Sequence, residues 1–338
     1  MRRIDKSDES MINGDLVELR QVQTFRVVAE ELSFSRAAAR LGYVQSSVSA
    51  QVAALERELG VRLFDRLGRR IALTDAGSVM LAYSRELLVL AAEAREAVVD
   101  AGAGVGEVAG SLTVSAPETL LTYRLPRLLA IFHGRYPKVR LSVRPSAVGR
   151  LVGSTRRAVD EGRVDVAFVL DGPVEVPGLS VETLIREGVT VIAPSDHVLA
   201  TSTYVSPQDL SGETVLLPEA PESGCAYRGQ FERQLGETGV VPPERMEFQS
   251  IEAVKQCVAA GMGVSVMISV AIETEVGDGK LAALRWKEPF EVFTQMVSNE
   301  KRWKSPALRA FLQTARESVQ SPNCVYPSPR DCAMKATV

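Results

Sequence analysis

Residues 33–59 read SFSRAAARLGYVQSSVSAQVAALEREL, and this stretch constrains the fold more than any other. A short run over about Arg36–Leu41 puts Ala37, Ala38 and Leu41 on one side, and Gly42 supplies a turn. A second run over about Gln45–Leu59 points Val48, Val52, Leu55 and Leu59 inward at helical spacing. Small alanines at the crossing let two helices approach closely, which is the helix-turn-helix pattern. Upstream, Val22, Phe25, Val28, Ala29 and Leu32 recur at helical spacing, with Ser33 and Ser35 placed to cap the short helix after them. Downstream, Leu63 and Phe64 are core candidates, RLGRR (66–70) reads as a hairpin tip, and Thr74-Asp75 caps a long helix over about 76–100. The module is three helices, a small β-wing and a long helix.

The long helix has a seam. Met80, Ser84, Leu87, Ala91, Ala94 and Val98 step by four, three, four, three and four, the pattern of a two-stranded coiled coil. The small residues suit close helix–helix approach, so Leu87, Ala91, Ala94 and Val98 are dimerisation candidates. AGAGVGEVAG (101–110) follows a helix and precedes a strand, the wrong order for a dinucleotide loop, and reads as a hinge.

From Ser111 the pattern alternates strand and helix. Strands are expected at 112–115, 140–144, 165–170, 189–193, 214–217, 247–249, 263–267 and 292–298. Helices are expected at 120–136, 154–161, 227–238, 251–260 and 305–319. Such alternation predicts a largely parallel sheet covered on both faces, and its length suits two linked α/β subdomains. Expected boundaries are a flexible arm at 1–18, a winged module at 19–76, a linker helix at 77–101, a hinge at 102–110, an α/β body at 111–319 and a flexible tail at 320–338. The chain is expected to cross between subdomains near 185–195 and 285–292.

Charge separates the two halves. Residues 20–70 hold nine arginines and five acids, about +4, while the whole 338-residue chain is −3, leaving about −7 elsewhere. A basic module joined to an acidic body points to a polyanion partner for the former. The exposed start of the helix at Gln45 carries Gln45, Ser46, Ser47, Ser49 and Ala50. These side chains suit major-groove entry into double-stranded DNA: glutamine bonds adenine N6/N7, and serine bonds a phosphate or base edge. A helix N-terminus also attracts phosphate. Arg66, Arg69 and Arg70 on the hairpin tip can reach a minor groove and backbone phosphates.

Other classes are poorly supplied. Cys225, Cys257, Cys324 and Cys332 match no zinc spacing, and His133 and His197 are the only histidines, so no metal or other cofactor is expected. No nucleophile–base–orienter set can be assembled around acids such as Glu222 and Glu252, so the chain is not read as an enzyme. No apolar run approaches a membrane span and no signal peptide is recognised, so the expectation is a cytoplasmic protein with no membrane partner.

Residues from about Leu19 to Ala101 resemble the DNA-binding half of LysR-type transcriptional regulators. The match lies in Phe25, SFSRAAARL, QSSVS (Gln45–Ser49), LERELGVRLFDR (Leu55–Arg66) and LTDAG (Leu73–Gly77). SLTVSAPETLLTYRLPRLLAIFHGRYP, EGRVDVAF and SIEAVKQCVAAGMGVSVM extend the resemblance to about Val319. It implies an α+β multidomain chain: a winged helix-turn-helix, a long linker helix, and two α/β lobes like type-II periplasmic binding proteins with a ligand cleft between them. It also implies a homodimer through the long helix, often paired into tetramers, and RNA polymerase as a further partner. Carried over residue by residue, Gln45 reads a base, Ser46 and Ser49 contact DNA at the helix end, Ser35 meets a phosphate, and Arg69 lies near the minor groove. The chain departs from the family at Ala50, where many relatives carry arginine, and at Met267-Ile268, where Leu-Pro is common.

For the effector, a carboxylate or other anion is expected at helix starts. The candidates are Thr119, Ser154 and Thr155, Cys225 in the GCAYR run, and Ser250. Glu118 beside Thr119 would oppose an anion unless it points away.

Overall fold

A computed structural model describes residues 17–67, 70–102, 107–146, 153–218 and 224–320. Nearly all of the arm, Arg69, much of the hinge, Glu222 and nearly all of the tail lie outside the described residues. Two compact units divide after Gly104.

In the first unit, α1 (Leu19–Glu31) is closed at its start by a capping box between Glu18 and Gln21. Ser33 caps α2 (Phe34–Leu41) by accepting from the Arg36 N–H; Ser35 takes no part in that cap. Gly42 ends α2 at φ 70°, in the left-handed region that glycine enters without steric penalty. α3 (Gln45–Leu59) follows, then the antiparallel hairpin of β1 (Phe64–Leu67) and β2 (Arg70–Leu73), paired from Phe64↔Leu73 to Leu67↔Arg70. Phe25, Val28, Ala37, Val48, Val52, Leu55 and Leu63 form a fully or nearly fully buried core. Glu56 of α3 accepts from the backbone N–H groups of Leu63 and Phe64, tying helix to wing.

Helix α4 (Asp75–Gly102) spans 28 residues, about 42 Å at 1.5 Å per residue. Thr74 caps it through the Gly77 N–H at 2.9 Å. Gly77 is required: a Cβ there would lie 2.0 Å from the Leu63 carbonyl oxygen. Ser84 is fully buried within this unit, which removes it from the expected seam, and half-buried Met80 packs partly on the unit's core. Beyond them Leu87 is 42%, Leu90 62% and Val98 73% exposed and Ala94 is exposed too, while Leu88, Val89 and Ala91 are half-buried.

The second unit holds two five-stranded sheets. The first is ordered β4-β3-β5-β12-β6, from β3 (Gly110–Ala116), β4 (Val139–Pro145), β5 (Val166–Asp171), β6 (Leu179–Arg186) and β12 (Phe293–Asn299). The second is ordered β11-β7-β10-β8-β9, from β7 (Val189–Pro194), β8 (Val215–Pro218), β9 (Arg245–Phe248), β10 (Val264–Ile268) and β11 (Leu281–Leu284). Each sheet is largely parallel by strand direction, as expected, with one strand opposed to the other four. β4, β3, β5 and β6 run one way in the first sheet and β9, β8, β10 and β11 in the second, while the single strand arriving from the other lobe, β12 or β7, runs against them. The chain passes between sheets at Glu187-Gly188 and again over 285–292.

The helix expected over 120–136 is two: α5 (Glu118–Tyr123) and α6 (Leu125–Arg135), broken at Arg124. Pro126, which lacks an N–H, restarts the helix in its first turn. The other α-helices among the described residues are α7 (Ser154–Asp160), α8 (Ala226–Glu237), α9 (Ile251–Ala259), α10 (Glu273–Gly277) and α11 (Pro306–Gln320). Strand alternation sorts their packing. In the first sheet, Val166, Phe168 and Leu170 face α5, α6 and α11, while Ala167 and Val169 face α7. In the second, Val215 and Leu217 face α8, while Leu216 faces α9. No helix among the described residues is long and apolar enough to cross a membrane.

Candidate nucleic-acid interface and ligand cleft

Helix α3 projects its first turn into solvent. Val44, its N-cap, offers no side-chain cap and is 66% exposed; Gln45, Ser46 and Ser47 are exposed too. The burial of Val48, Val52 and Leu55 fixes which way this tip faces. Ser49 is half-buried and lines a cavity of about 340 Å³ with Phe34, Glu56 and Arg62, so it faces inward more than Gln45 or Ser46. Ser35 Oγ donates to Gln45 Oε1 at 2.9 Å, joining two residues expected to touch DNA separately. Arg66 and Arg70 occupy the last two register positions of the hairpin. Some of the basic charge is neutralised locally, since Arg40 bonds Glu30 and Glu31, which together hold its guanidinium more firmly protonated than usual.

The ligand candidates sort by topology. β3 leads to α5 on one face of its sheet, and its neighbour β4 leads to α7 on the other. Such a switch opens a crevice at the carboxyl ends of the two strands, where ligands of α/β sheets bind. Thr119 lies there with its Oγ1 buried and without a hydrogen-bond partner among the described residues. Ser146 follows β4, its N–H donating to the Ala116 carbonyl at 2.8 Å, and its buried hydroxyl likewise has no partner among the described residues. Glu118 is exposed, turned away from buried Thr119. Ser154 and Thr155 begin α7, packed on the opposite face from α5; Ser154 is exposed and Thr155 buried.

The second lobe repeats the switch between β8 and β9. Cys225 is the buried N-cap of α8, and Ser250 caps α9 by accepting from the Ala253 N–H. A cavity of about 430 Å³ runs from Asp171, at the carboxyl end of β5, to Cys225 and Arg228 of α8, bringing the two lobes to one space. Burial works to lower the protonation of Arg228, but Glu247 and Glu232 outweigh it and keep it charged.

The family model described as LysR substrate binding domain matches residues 106–320, and that of the bacterial regulatory helix-turn-helix protein, lysR family, matches residues 19–78. The chain belongs to the LysR family of transcriptional regulators. It is 35% identical over 302 residues to the uncharacterised HTH-type transcriptional regulator YwqM of Bacillus subtilis (strain 168), covering 89% of this chain and 99% of that protein. A full-length OxyR variant from Pseudomonas aeruginosa is similar in structure, at a TM-score of 0.66 and 25% identity over 90% of this chain and 94% of that one. Full-length CbnR complexed with its target DNA shares the fold, at a TM-score of 0.61 and 22% identity over 89% of this chain and 99% of that one.

In this LysR-type regulator three polar groups escaped the reading of the sequence. Ser146 is visible only once strand order is known. Arg124 and Glu187 form a buried bidentate pair, with Arg124 Nε and a terminal nitrogen donating at 3.1 and 2.6 Å. Tyr123 of α5 reaches across to Glu252 and Lys255 of α9, and Lys255 also bonds Glu275. Burial acts to lower the Lys255 pKa, but Glu252, Glu275 and Tyr123 outweigh it and raise it.

Proposed function

We propose that this regulator reads a specific operator with the first turn of α3 and answers to a small anionic effector held between the two lobes. The observation that carries the reading is the exposed, uncapped start of α3 bearing Gln45 and Ser46 on a rigid core. Gln45 meets a base edge in the major groove. Ser46 and Ser49 contact DNA at the helix end, and Arg66, Arg69 and Arg70 bind at the wing. Module limits at 19–76, 77–101, 102–110 and 111–319 fit this division of labour.

Two copies pair through α4 at Leu87, Ala91, Ala94 and Val98, and pairs associate into tetramers. The exposure of Leu87, Ala94 and Val98 supports the pairing. Dimers would meet half-sites one helical turn or more apart. The effector is a carboxylate or similar anion, and the unpartnered hydroxyl of Thr119 supports a polar ligand there. Ser146 joins Thr119 in the first lobe, Cys225 and Ser250 approach from the second, and Ser154 and Thr155 border the same strand ends. Effector and operator binding are linked, so each changes the affinity for the other. Such a protein works in the cytoplasm beside RNA polymerase.

Selection from a random duplex pool tests the reading. Wild type should enrich one sequence, Gln45→Ala should relax preference at one base position by about 1–3 kcal/mol, and Arg69→Ala should weaken all duplexes alike. Wild-type behaviour in both variants would overturn the assignment.

A further inference from the structure

We propose that Ser35 is a positioning residue for base reading: it holds the Gln45 amide with its oxygen turned inward and its nitrogen left for the groove. The proposal rests on the reading that Gln45 meets a base edge. Ser35 is the second residue of α2 and Gln45 the first of α3, ten positions apart, and the turn at Gly42 brings them together. Both are exposed, and Ser35 Oγ donates to Gln45 Oε1 at 2.9 Å.

A glutamine amide has an acceptor end and a donor end of nearly the same shape, and its last torsion is broad and two-fold. A hydroxyl can meet either end, so the surroundings decide the direction. The N-termini of α2 and α3 converge on this pair, and a helix N-terminus carries partial positive charge. Val44 adds no side-chain oxygen to offset that of α3. The amide oxygen therefore faces the helix ends and the Ser35 hydroxyl. Nε2 remains the group with no hydrogen bond among the described residues.

The orientation selects bases. An outward amide nitrogen donates, so it needs an acceptor on the base it meets. Purine N7, guanine O6 and thymine O4 supply one in the major groove, whereas cytosine presents the N4 donor. Wild type should exclude cytosine at the position Gln45 reads. Without Ser35 the amide turns over freely and its oxygen accepts from cytosine N4.

The test uses the full chain and the duplex it enriches from a random pool, with every single-base-pair variant titrated by fluorescence anisotropy. Ser35→Ala should lose about three- to tenfold of the discrimination at one position, with cytosine gaining most. Because the Ser35 hydroxyl is engaged by Gln45 rather than by the phosphate that the family resemblance implies, affinity for unrelated duplex, the salt slope and the thermal midpoint should not move. Ser35→Thr, which keeps the hydroxyl, should keep the wild-type profile. In a Gln45→Ala background, Ser35→Ala should add nothing. A uniform loss across all duplexes, with a salt slope shallower by about one, would make Ser35 a phosphate contact and overturn the proposal. So would an unaltered Ser35→Ala profile, or an effect that persists without Gln45. A wild type that enriches no duplex would sink the base-reading itself, and the proposal with it.

Discussion

Replacing Arg124 by methionine should destabilise the second unit by about 3–5 kcal/mol, the usual loss when one partner of a buried ion pair is removed. The magnitude follows from the surroundings. The Arg124 side chain is 5% exposed and that of Glu187 0%, so neither charge is screened by water. Glu187 Oε1 accepts from Arg124 Nε at 3.1 Å and from the Thr294 hydroxyl at 2.6 Å; its Oε2 accepts from Arg124 at 2.6 Å. Two charge-assisted bonds at about 1.5–3 kcal/mol each reach the same range. In the variant, a fully buried carboxylate keeps only the Thr294 hydroxyl among its described side-chain donors. Both tryptophans, Trp286 and Trp303, lie in this unit, so their fluorescence follows its unfolding alone in the full-length chain. At about 2–4 °C per kcal/mol for a domain of this size, the midpoint should fall by roughly 10 °C. Pairing Arg124→Met with Glu187→Leu should recover most of the loss, because an apolar pair leaves no buried charge behind. A single variant that loses less than about 1 kcal/mol, or a double variant no better than the single, would exclude a stranded buried charge as the cause.

Three further outcomes are expected from the same structure. Thr119→Val should stabilise the ligand-free chain by up to about 1–3 kcal/mol, because it removes a buried hydroxyl with no partner among the described residues; a loss in urea titration would mean the hydroxyl is already satisfied. Val44→Ser should raise the midpoint of the first unit by supplying the missing cap of α3, about 1 kcal/mol by circular dichroism, and no gain would show that the first-turn N–H groups already have partners. Gly77→Ala should destabilise that unit by about 1–3 kcal/mol despite alanine's better helix propensity, since its Cβ would meet the Leu63 carbonyl; a more stable variant would contradict that packing.

Local patterns were the readable part. Val48, Val52 and Leu55 placed α3 and its buried face, and Gly42 placed the turn before it. The two-lobed α/β class followed from alternation of apolar runs. The split of α5 from α6 needed attention to Pro126, whose missing N–H outweighs the continuous helical periodicity of its neighbours. β6 and β11 were not found, since LSVETLIR is broken by polar residues and LAAL is only four residues long. Met80 and Ser84 fit a heptad as well as they fit a domain core, and spacing alone does not separate the two. The polar links were the least readable. Arg124 and Glu187 are 63 residues apart, and Tyr123 and Lys255 are 132 apart. Ser146 matters only because β4 lies beside β3, a fact of sheet order that no local pattern carries.

A pair of titrations on the full-length chain decides whether α3 is a reading head: the duplex it enriches and a scrambled duplex of equal length, each across a salt series. Base reading by α3 requires both affinities to fall linearly on a log–log plot, with the enriched duplex bound about a thousandfold tighter or more throughout. Equal affinity for the two sequences at every salt concentration would contradict it.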